Sequence, residues 1–214
     1  MSQESGSGFV IVRAHRVQQS FDPFEKFPKA EPPCQTFRVR KDERLLQCLL
    51  AGKEGDDVLL AELIRTLQPR VWSLCSALGA PGDPADLTQE TFLRMMGALR
   101  TFRGESSVET WVLAIARRVC ADHIRNLRRK RRLVERLKSV ADTPVSFPAE
   151  RGIVEDLLLG VNVERREAFV LTQLVGLSYE DAAQIVGCPL GTIRSRVARA
   201  REDLLELHLR NEAV

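Results

Sequence analysis

The residues best suited to contacting another molecule lie near the C-terminus, in a segment patterned as two short helices joined by a tight turn. Ser178 and Asp181 have the spacing of a capping box, which satisfies free backbone amides at the start of a helix. Residues 187–189, Gly-Cys-Pro, then end that helix. The next helix is expected to bury one stripe of apolar residues at steps of three and four: Leu190, Ile193, Val197, Ala200 and Leu204.

The opposite face of the second helix carries side chains suited to the DNA major groove. Arginine can bond guanine edges or phosphates there, and serine or threonine can bond bases of either kind. The residues predicted to contact duplex DNA are Thr192, Arg194, Ser195, Arg196 and Arg199. A helical hairpin whose arginines are only solvated is the alternative. The combination of cap, turn and basic outer face favours a helix-turn-helix.

A loop at residues 102–107 leads into a second candidate site on a long basic helix. Ser106 and Glu109 have capping-box spacing, which predicts the start of this helix. Trp111 shares an apolar face with Ile115, which favours core packing over contact with a base. The helix runs into arginine- and lysine-rich sequence that either attracts polyanions or is simply solvated. A loop and cations of this kind could hold an opened DNA strand.

A third helix is predicted from Asp83, as N-cap, to Leu99, with Pro84 at its first position. Its apolar face is expected to bury Leu87, Phe92, Met95, Met96 and Leu99. The polar residues left for solvent or a partner are Asp86, Gln89, Glu90 and Arg94. By itself this pattern is typical of a solvated face.

The periodicity predicts an all-α chain of two small helical domains joined by a flexible linker, the C-terminal one a helix-turn-helix. The helical pattern begins at Asp42. A first apolar stripe consists of Leu45, Leu46, Leu49 and Leu50, and a second consists of Leu60, Leu63, Ile64 and Leu67. Pro69 is expected to interrupt or kink the chain after the second stripe. In the C-terminal part, helices are expected at 153–159, 163–174, 179–186 and 192–207. The resulting organisation is a flexible extension at 1–41, a first domain at 42–138, a linker at 139–150 and a second domain at 151–214.

Composition restricts the class of protein. Five cysteines, odd in number and without a CxxC pair, indicate reduced thiols rather than disulfides or a zinc site. No leader and no apolar run of about 18 residues is present, so we expect a cytoplasmic protein without membrane insertion. No nucleotide-binding, metalloprotease or nucleophile-elbow motif occurs, and we predict no catalytic residue, cofactor or metal.

Three strings resemble the extracytoplasmic-function sigma factors, small alternative sigma subunits of bacterial RNA polymerase. They are DPADLTQETFLRMMGAL, FRGESSVETWVLAIARRVCADHIRNLRRKR and residues 164–205, in family order with a linker where the family has one. The resemblance implies that Asp86, Gln89, Glu90 and Arg94 contact the polymerase clamp. It also implies that the helix-turn-helix reads the −35 promoter element.

In the family, the second string melts and reads the −10 promoter element. By resemblance the −10 residues are Phe102, Arg103, Ser106, Trp111, Arg117, Arg118, Asp122, His123, Arg125, Asn126, Arg128, Arg129 and Lys130. Arg118 departs from the family, which often has asparagine there. The implied partners are core RNA polymerase, through its largest-subunit clamp and its flap, promoter DNA and an anti-sigma factor. The alternatives are a stand-alone helix-turn-helix regulator and an interaction module that has lost DNA binding.

Overall fold

The computed structural model describes residues 35–137 and 153–212, which contain eight α-helices and no strand. The first four helices are α1 (Gln35–Lys53), α2 (Asp57–Leu78), α3 (Pro84–Ala98), followed by a short 3-10 turn at Leu99–Thr101, and α4 (Val108–Leu137). The last four are α5 (Ile153–Gly160), α6 (Val163–Phe169), which continues as a π-helical turn at Val170–Leu174, α7 (Tyr179–Val186) and α8 (Leu190–Glu212). The predicted linker at 139–150 and most of the predicted N-terminal extension lie outside the described residues.

The first four helices pack around α2, which contacts α1, α3 and α4. Their shared core includes fully buried leucine, methionine and valine side chains, among them Leu49, Leu63, Leu74, Met95, Val112 and Leu113. Cys48, Cys75 and Cys120 are buried here as free thiols, where they pack as small apolar side chains. Burial raises the pKa of the Cys48 thiol, so this cysteine stays in its neutral form.

The last four helices pack around α8, which contacts α5, α6 and α7. The predicted stripe on α8 is confirmed for Ile193, Val197, Ala200 and Leu204, all of which are buried, while Leu190 is only half-buried. Buried residues of α6 and its π-helical turn, such as Phe169 and Leu171, complete this core. One continuous apolar face therefore fixes which side of α8 remains available for a ligand.

Capping explains where three of the helices begin. Asp83 accepts a hydrogen bond from the Ala85 amide, with Pro84 at the first helical position as predicted. Asn162 caps α6 through the Glu164 amide. At α7, Ser178 Oγ accepts from the Asp181 amide at 3.0 Å and donates to the Asp181 carboxylate at 2.6 Å, so the predicted capping box is present in a modified form.

Several predicted helix ends are wrong. α4 begins after Ser107 rather than Ser106, because the Ser107 hydroxyl accepts from the Thr110 amide. α1 begins at Gln35, before the apolar pattern starts at Asp42. Of the interruption or kink expected at Pro69, the interruption does not occur, because burial of residues on both sides of the proline keeps α2 together.

Some apolar stripes were also placed wrongly. Leu46 and Leu50 are exposed, because α1 has more leucines than the face it packs against α2 and α4 can cover. On α3, Met96 is exposed rather than buried. These residues lie at the edge of an apolar stripe, where periodicity does not fix which side is covered.

The two groups of helices contact each other within one compact unit. α4 packs against α7, and α2 packs against the π-helical turn and α5. The chain therefore places α4 beside the helix-turn-helix.

Candidate nucleic-acid interface

The exposed side of α8 forms a cleft with the start of α6. Four of the five residues predicted to contact duplex DNA line this cleft: Thr192, Ser195, Arg196 and Arg199. Arg194, the fifth, is exposed on the same helix but does not line it. The cleft also contains Asn162, Glu164 and Arg165 from α6 and its cap, which are not among the residues predicted to contact DNA. A groove-shaped polar surface thus lies opposite the buried stripe of α8.

Carboxylates hold two of the arginines in this cleft. Arg196 donates to Glu164, and its other terminal nitrogen lies 3.9 Å from the Cys188 sulfur. Arg165 donates to both carboxylate oxygens of Asp203, at 2.7 and 2.9 Å. The cleft therefore combines a net positive lining with arginines whose orientation is fixed by acidic neighbours.

The outer face of α4 is strongly basic. The exposed members of the predicted −10 set on this helix are Arg118, Arg125, Asn126, Arg128, Arg129 and Lys130. Within the described part of the chain they extend over more than three turns of one helix, where phosphates of a strand could be followed. That these side chains bind a DNA backbone stays a prediction.

The loop before α4 is built around two aromatic rings. Phe102 is largely buried and meets Trp111 edge-on, with ring centroids 5.2 Å apart. Lys53 donates to the Phe102 carbonyl at 3.1 Å and also lies over the Phe102 ring. Arg103 is exposed, whereas Ser106 is half-buried. Of this predicted set, Phe102 and Trp111 support the loop, and Arg103 is presented to solvent.

Helices of the second group cover one side of α4 and its loop. Arg117 donates to both carboxylate oxygens of Glu167, one at 3.2 Å. Next to this pair, the Thr110 hydroxyl donates to Asp181 at 3.3 Å. The Gln184 amide donates to the Glu105 carbonyl at 3.3 Å. Among the described residues, Arg117 is therefore the one predicted −10 residue that forms an ion pair with a carboxylate of the last four helices.

Two further −10 candidates have partners on the α3 side of α4. Asp122 accepts hydrogen bonds from Arg94 at 2.8 Å and from Arg125, and these guanidinium groups lower the pKa of Asp122. The His123 ring lies 3.0 Å from the Pro81 carbonyl oxygen, so it makes a contact that holds the turn before α3. Arg94 thereby connects the polymerase-binding and −10 surfaces implied by the resemblance.

Comparison with known proteins identifies the family. The chain matches the models for Sigma-70 region 2 at residues 63–130 and Sigma-70 region 4 at residues 151–204. It is 44% identical over 174 residues to a probable RNA polymerase sigma-C factor of Mycobacterium bovis, covering 79% of this chain and 94% of that protein. The chain belongs to the extracytoplasmic-function sigma factors. It is an alternative sigma factor, which directs promoter-specific transcription.

Solved structures agree with this assignment. The sigma factor RpoE of Bartonella quintana, in a co-crystal structure with the anti-sigma factor NepR, aligns with a TM-score of 0.55 at 30% identity, covering 69% of this chain and 95% of that one. CnrH, solved with the cytosolic domain of CnrY, aligns with a TM-score of 0.58 at 23% identity, covering 78% and 95%, and so shares the fold. The predicted all-α architecture with two sigma regions is confirmed.

The exposed face of α3 in this sigma factor has an apolar centre. Asp86, Gln89 and Arg94 are exposed and Glu90 is half-buried. Leu93 and Met96 lie among them and are 51% and 39% exposed. An apolar centre with a polar rim is typical of a protein-binding surface. Met96 was expected in the core and Leu93 was not assigned to either face, so only their exposure in the fold reveals this apolar centre.

The sigma factor's described residues hold no group of three or more metal-ligating side chains. Across residues 35–137 and 153–212, no helix is long and apolar enough to cross a membrane. The family is one of non-catalytic regulators.

Glu164, Arg165 and Glu167 are absent from the predicted contact residues. All three lie in α6, within the string at 164–205 that carries the resemblance, but the sequence assigned them no contact. The signal available was Asn162: a cap at that position brings the first turn of α6 to the surface, next to wherever α8 exposes its basic face.

Proposed function

We propose that this sigma factor binds core RNA polymerase through α3, holds the melted −10 strand on α4 and its preceding loop, and reads the −35 duplex with α8. The observation that carries the proposal is the cleft of Thr192, Ser195, Arg196 and Arg199 opposite the buried stripe of α8. Such a helix can enter the major groove with its arginines toward base edges.

The remaining assignments follow from the same proposal. Residues 42–138 act as the region 2 domain, 139–150 as the linker and 151–214 as the region 4 domain. Core polymerase contributes its clamp to α3 and its flap to the region 4 domain. The protein works in the cytoplasm as a binding subunit, without enzymatic activity, cofactor or metal.

An anti-sigma factor is a further proposed partner. RpoE of Bartonella quintana was solved in complex with one, and 95% of that chain aligns with this one. An inhibitor of this kind would have to compete with polymerase or DNA for the surfaces on α3, α4 or α8. The apolar centre of α3, at Leu93 and Met96, offers the area that such competition requires.

Run-off transcription tests the proposed function. The full chain is combined with mycobacterial core polymerase on a pool of genomic fragments, and RNA 5′ ends are mapped. We expect start sites that share two upstream elements, and loss of those starts with the double variant Arg194→Ala, Arg199→Ala. A matched control is Arg210→Ala, near the end of α8. Specific footprints without polymerase would instead support a stand-alone regulator.

A further inference from the structure

The arginines on the basic face of α8 are of two kinds. Arg194 and Arg199 are exposed and make no ion pair with any described residue. Arg196 is different, because Glu164 of α6 holds its guanidinium and only 21% of its side chain is exposed. Arginines that lie close together on one helix therefore differ in whether a carboxylate holds them.

A free arginine and a held arginine contribute differently to DNA binding. A free guanidinium can move to any nearby phosphate, so it adds affinity for every duplex sequence. A held guanidinium has few orientations and part of its charge is already balanced. Its contact with DNA therefore depends on whether a base edge lies where the side chain points.

Glu164 also faces the position that DNA would occupy. Its side chain is 66% exposed and lines the same cleft as Ser195 and Arg199. A carboxylate in that position repels a misplaced phosphate, whereas it accepts a hydrogen bond from a correctly placed amino group of cytosine. Both effects penalise sequences that do not match.

We propose that Glu164 is a specificity-determining residue of the −35-reading surface. It holds Arg196 in one orientation and disfavours phosphate in the cleft, so it weakens binding to arbitrary duplexes more than binding to a matching one. The inference rests on the proposed role of α8 in reading duplex DNA.

The test compares Glu164→Gln with the wild type in the full chain. Glutamine keeps the size and one acceptor oxygen but removes the charge. Each protein, assembled with core polymerase, selects duplexes from a randomised pool, and affinities of the assembled complex are then measured by fluorescence anisotropy for the wild-type selected duplex and a scrambled version. The matched control is Glu206→Gln, which makes the same charge change at an exposed position of α8 outside the cleft.

We expect Glu164→Gln to bind the scrambled duplex more tightly and to lower the preference for the selected duplex by about tenfold, within the range of one bidentate base contact. The sequences it selects should be less restricted at the base pairs that Arg196 reaches. Glu206→Gln should leave the preference unchanged.

Two outcomes overturn the inference. Equal changes in both variants would mean that only net charge matters. If Glu164→Gln leaves the preference for the selected duplex unchanged, Glu164 has no role in specificity. The same holds if the variant binds both duplexes equally more weakly and the protein has a lower melting temperature, since Glu164 would then have a merely structural role. Arg194→Ala and Arg199→Ala separate this from the proposed function: if neither weakens duplex binding, the assignment of α8 itself fails.

Discussion

The contact between Arg117 and Glu167 predicts how tightly the free protein binds single-stranded DNA. Only 30% of the Arg117 side chain and 16% of the Glu167 side chain are exposed, and the guanidinium donates to both carboxylate oxygens. The Nε and terminal N–H groups that bind this carboxylate form the fork that would bind a DNA phosphate in a bidentate contact. The ion pair must therefore break before Arg117 can bind a phosphate through that fork.

The size of the effect follows from what glutamine would retain. A hydrogen bond to a charged group contributes about 1.5–3 kcal/mol net, and one between neutral groups about 0.5–1.5 kcal/mol. Glutamine leaves only the arginine charged and keeps one of the two acceptor oxygens, so its contact with Arg117 is weaker than that of the carboxylate. Replacing Glu167 by glutamine therefore weakens the competing contact by about 1 kcal/mol, after allowance for partial exposure. We expect Glu167→Gln to bind single strands about fivefold more tightly, since 1.4 kcal/mol is tenfold.

Fluorescence anisotropy with a labelled mixed-sequence oligodeoxynucleotide measures this change in the full chain. Glu180→Gln is the matched control, because it removes one exposed carboxylate from α7. A double-mutant cycle with Arg117→Ala locates the effect. The reasoning is refuted if Glu180→Gln tightens binding equally, or if Glu167→Gln still tightens it when Arg117 is already alanine.

Three further predictions concern caps, docking and pH. Ser178→Ala should cost about 1 kcal/mol of unfolding free energy in urea titrations, since it removes the cap of α7. Leu93→Ser should weaken binding to core polymerase by more than about 1 kcal/mol, as expected for an apolar interface centre, while Val58→Ser, at an exposed apolar position of α2, should not. Arg94 lowers the pKa of Asp122 in the folded protein. The ion pair therefore stabilises the fold fully at pH values above the pKa of unfolded Asp122, about 3.9. This stabilisation is lost as the pH falls through the lower pKa that Asp122 has in the folded protein. Asp122→Asn should accordingly be less stable than the wild type at neutral pH and equal to it in acid, as measured by denaturant titration.

Local pattern was sufficient to predict the helices and the face that α8 buries. Ile193, Val197 and Ala200 recur at steps of three and four, and all three are buried where α8 packs against α5, α6 and α7. The same logic failed on α1, where leucines extend around more of the helix than its neighbours can cover, so Leu46 and Leu50 remain exposed. Periodicity predicts a stripe, but packing decides its edges.

The ion pairs that hold arginines of the proposed binding surfaces could not be predicted from local sequence patterns. Arg117 and Glu167 are 50 residues apart, and Arg196 and Glu164 are 32 apart. No local spacing connects such residues, because the contact exists only after α6 has packed against α8 and the two groups of helices have met. Basic residues are visible in a sequence, whereas the carboxylates that restrain them become visible only in the fold.

These restraints divide DNA binding into stages with different salt dependence. Arg118, Arg128 and Arg129 are exposed on α4, so they can attract a polyanion without any rearrangement, and this attraction weakens with added salt because the release of DNA counterions then gains less free energy. Arg117 joins only after its contact with Glu167 has broken, a step that exchanges one carboxylate for one phosphate and leaves the number of neutralised charges unchanged. Glu167→Gln should therefore raise single-strand affinity at every ionic strength with little change in the salt slope. A slope that steepened by a full phosphate contact would mean that additional cations, beyond Arg117, are released together with it.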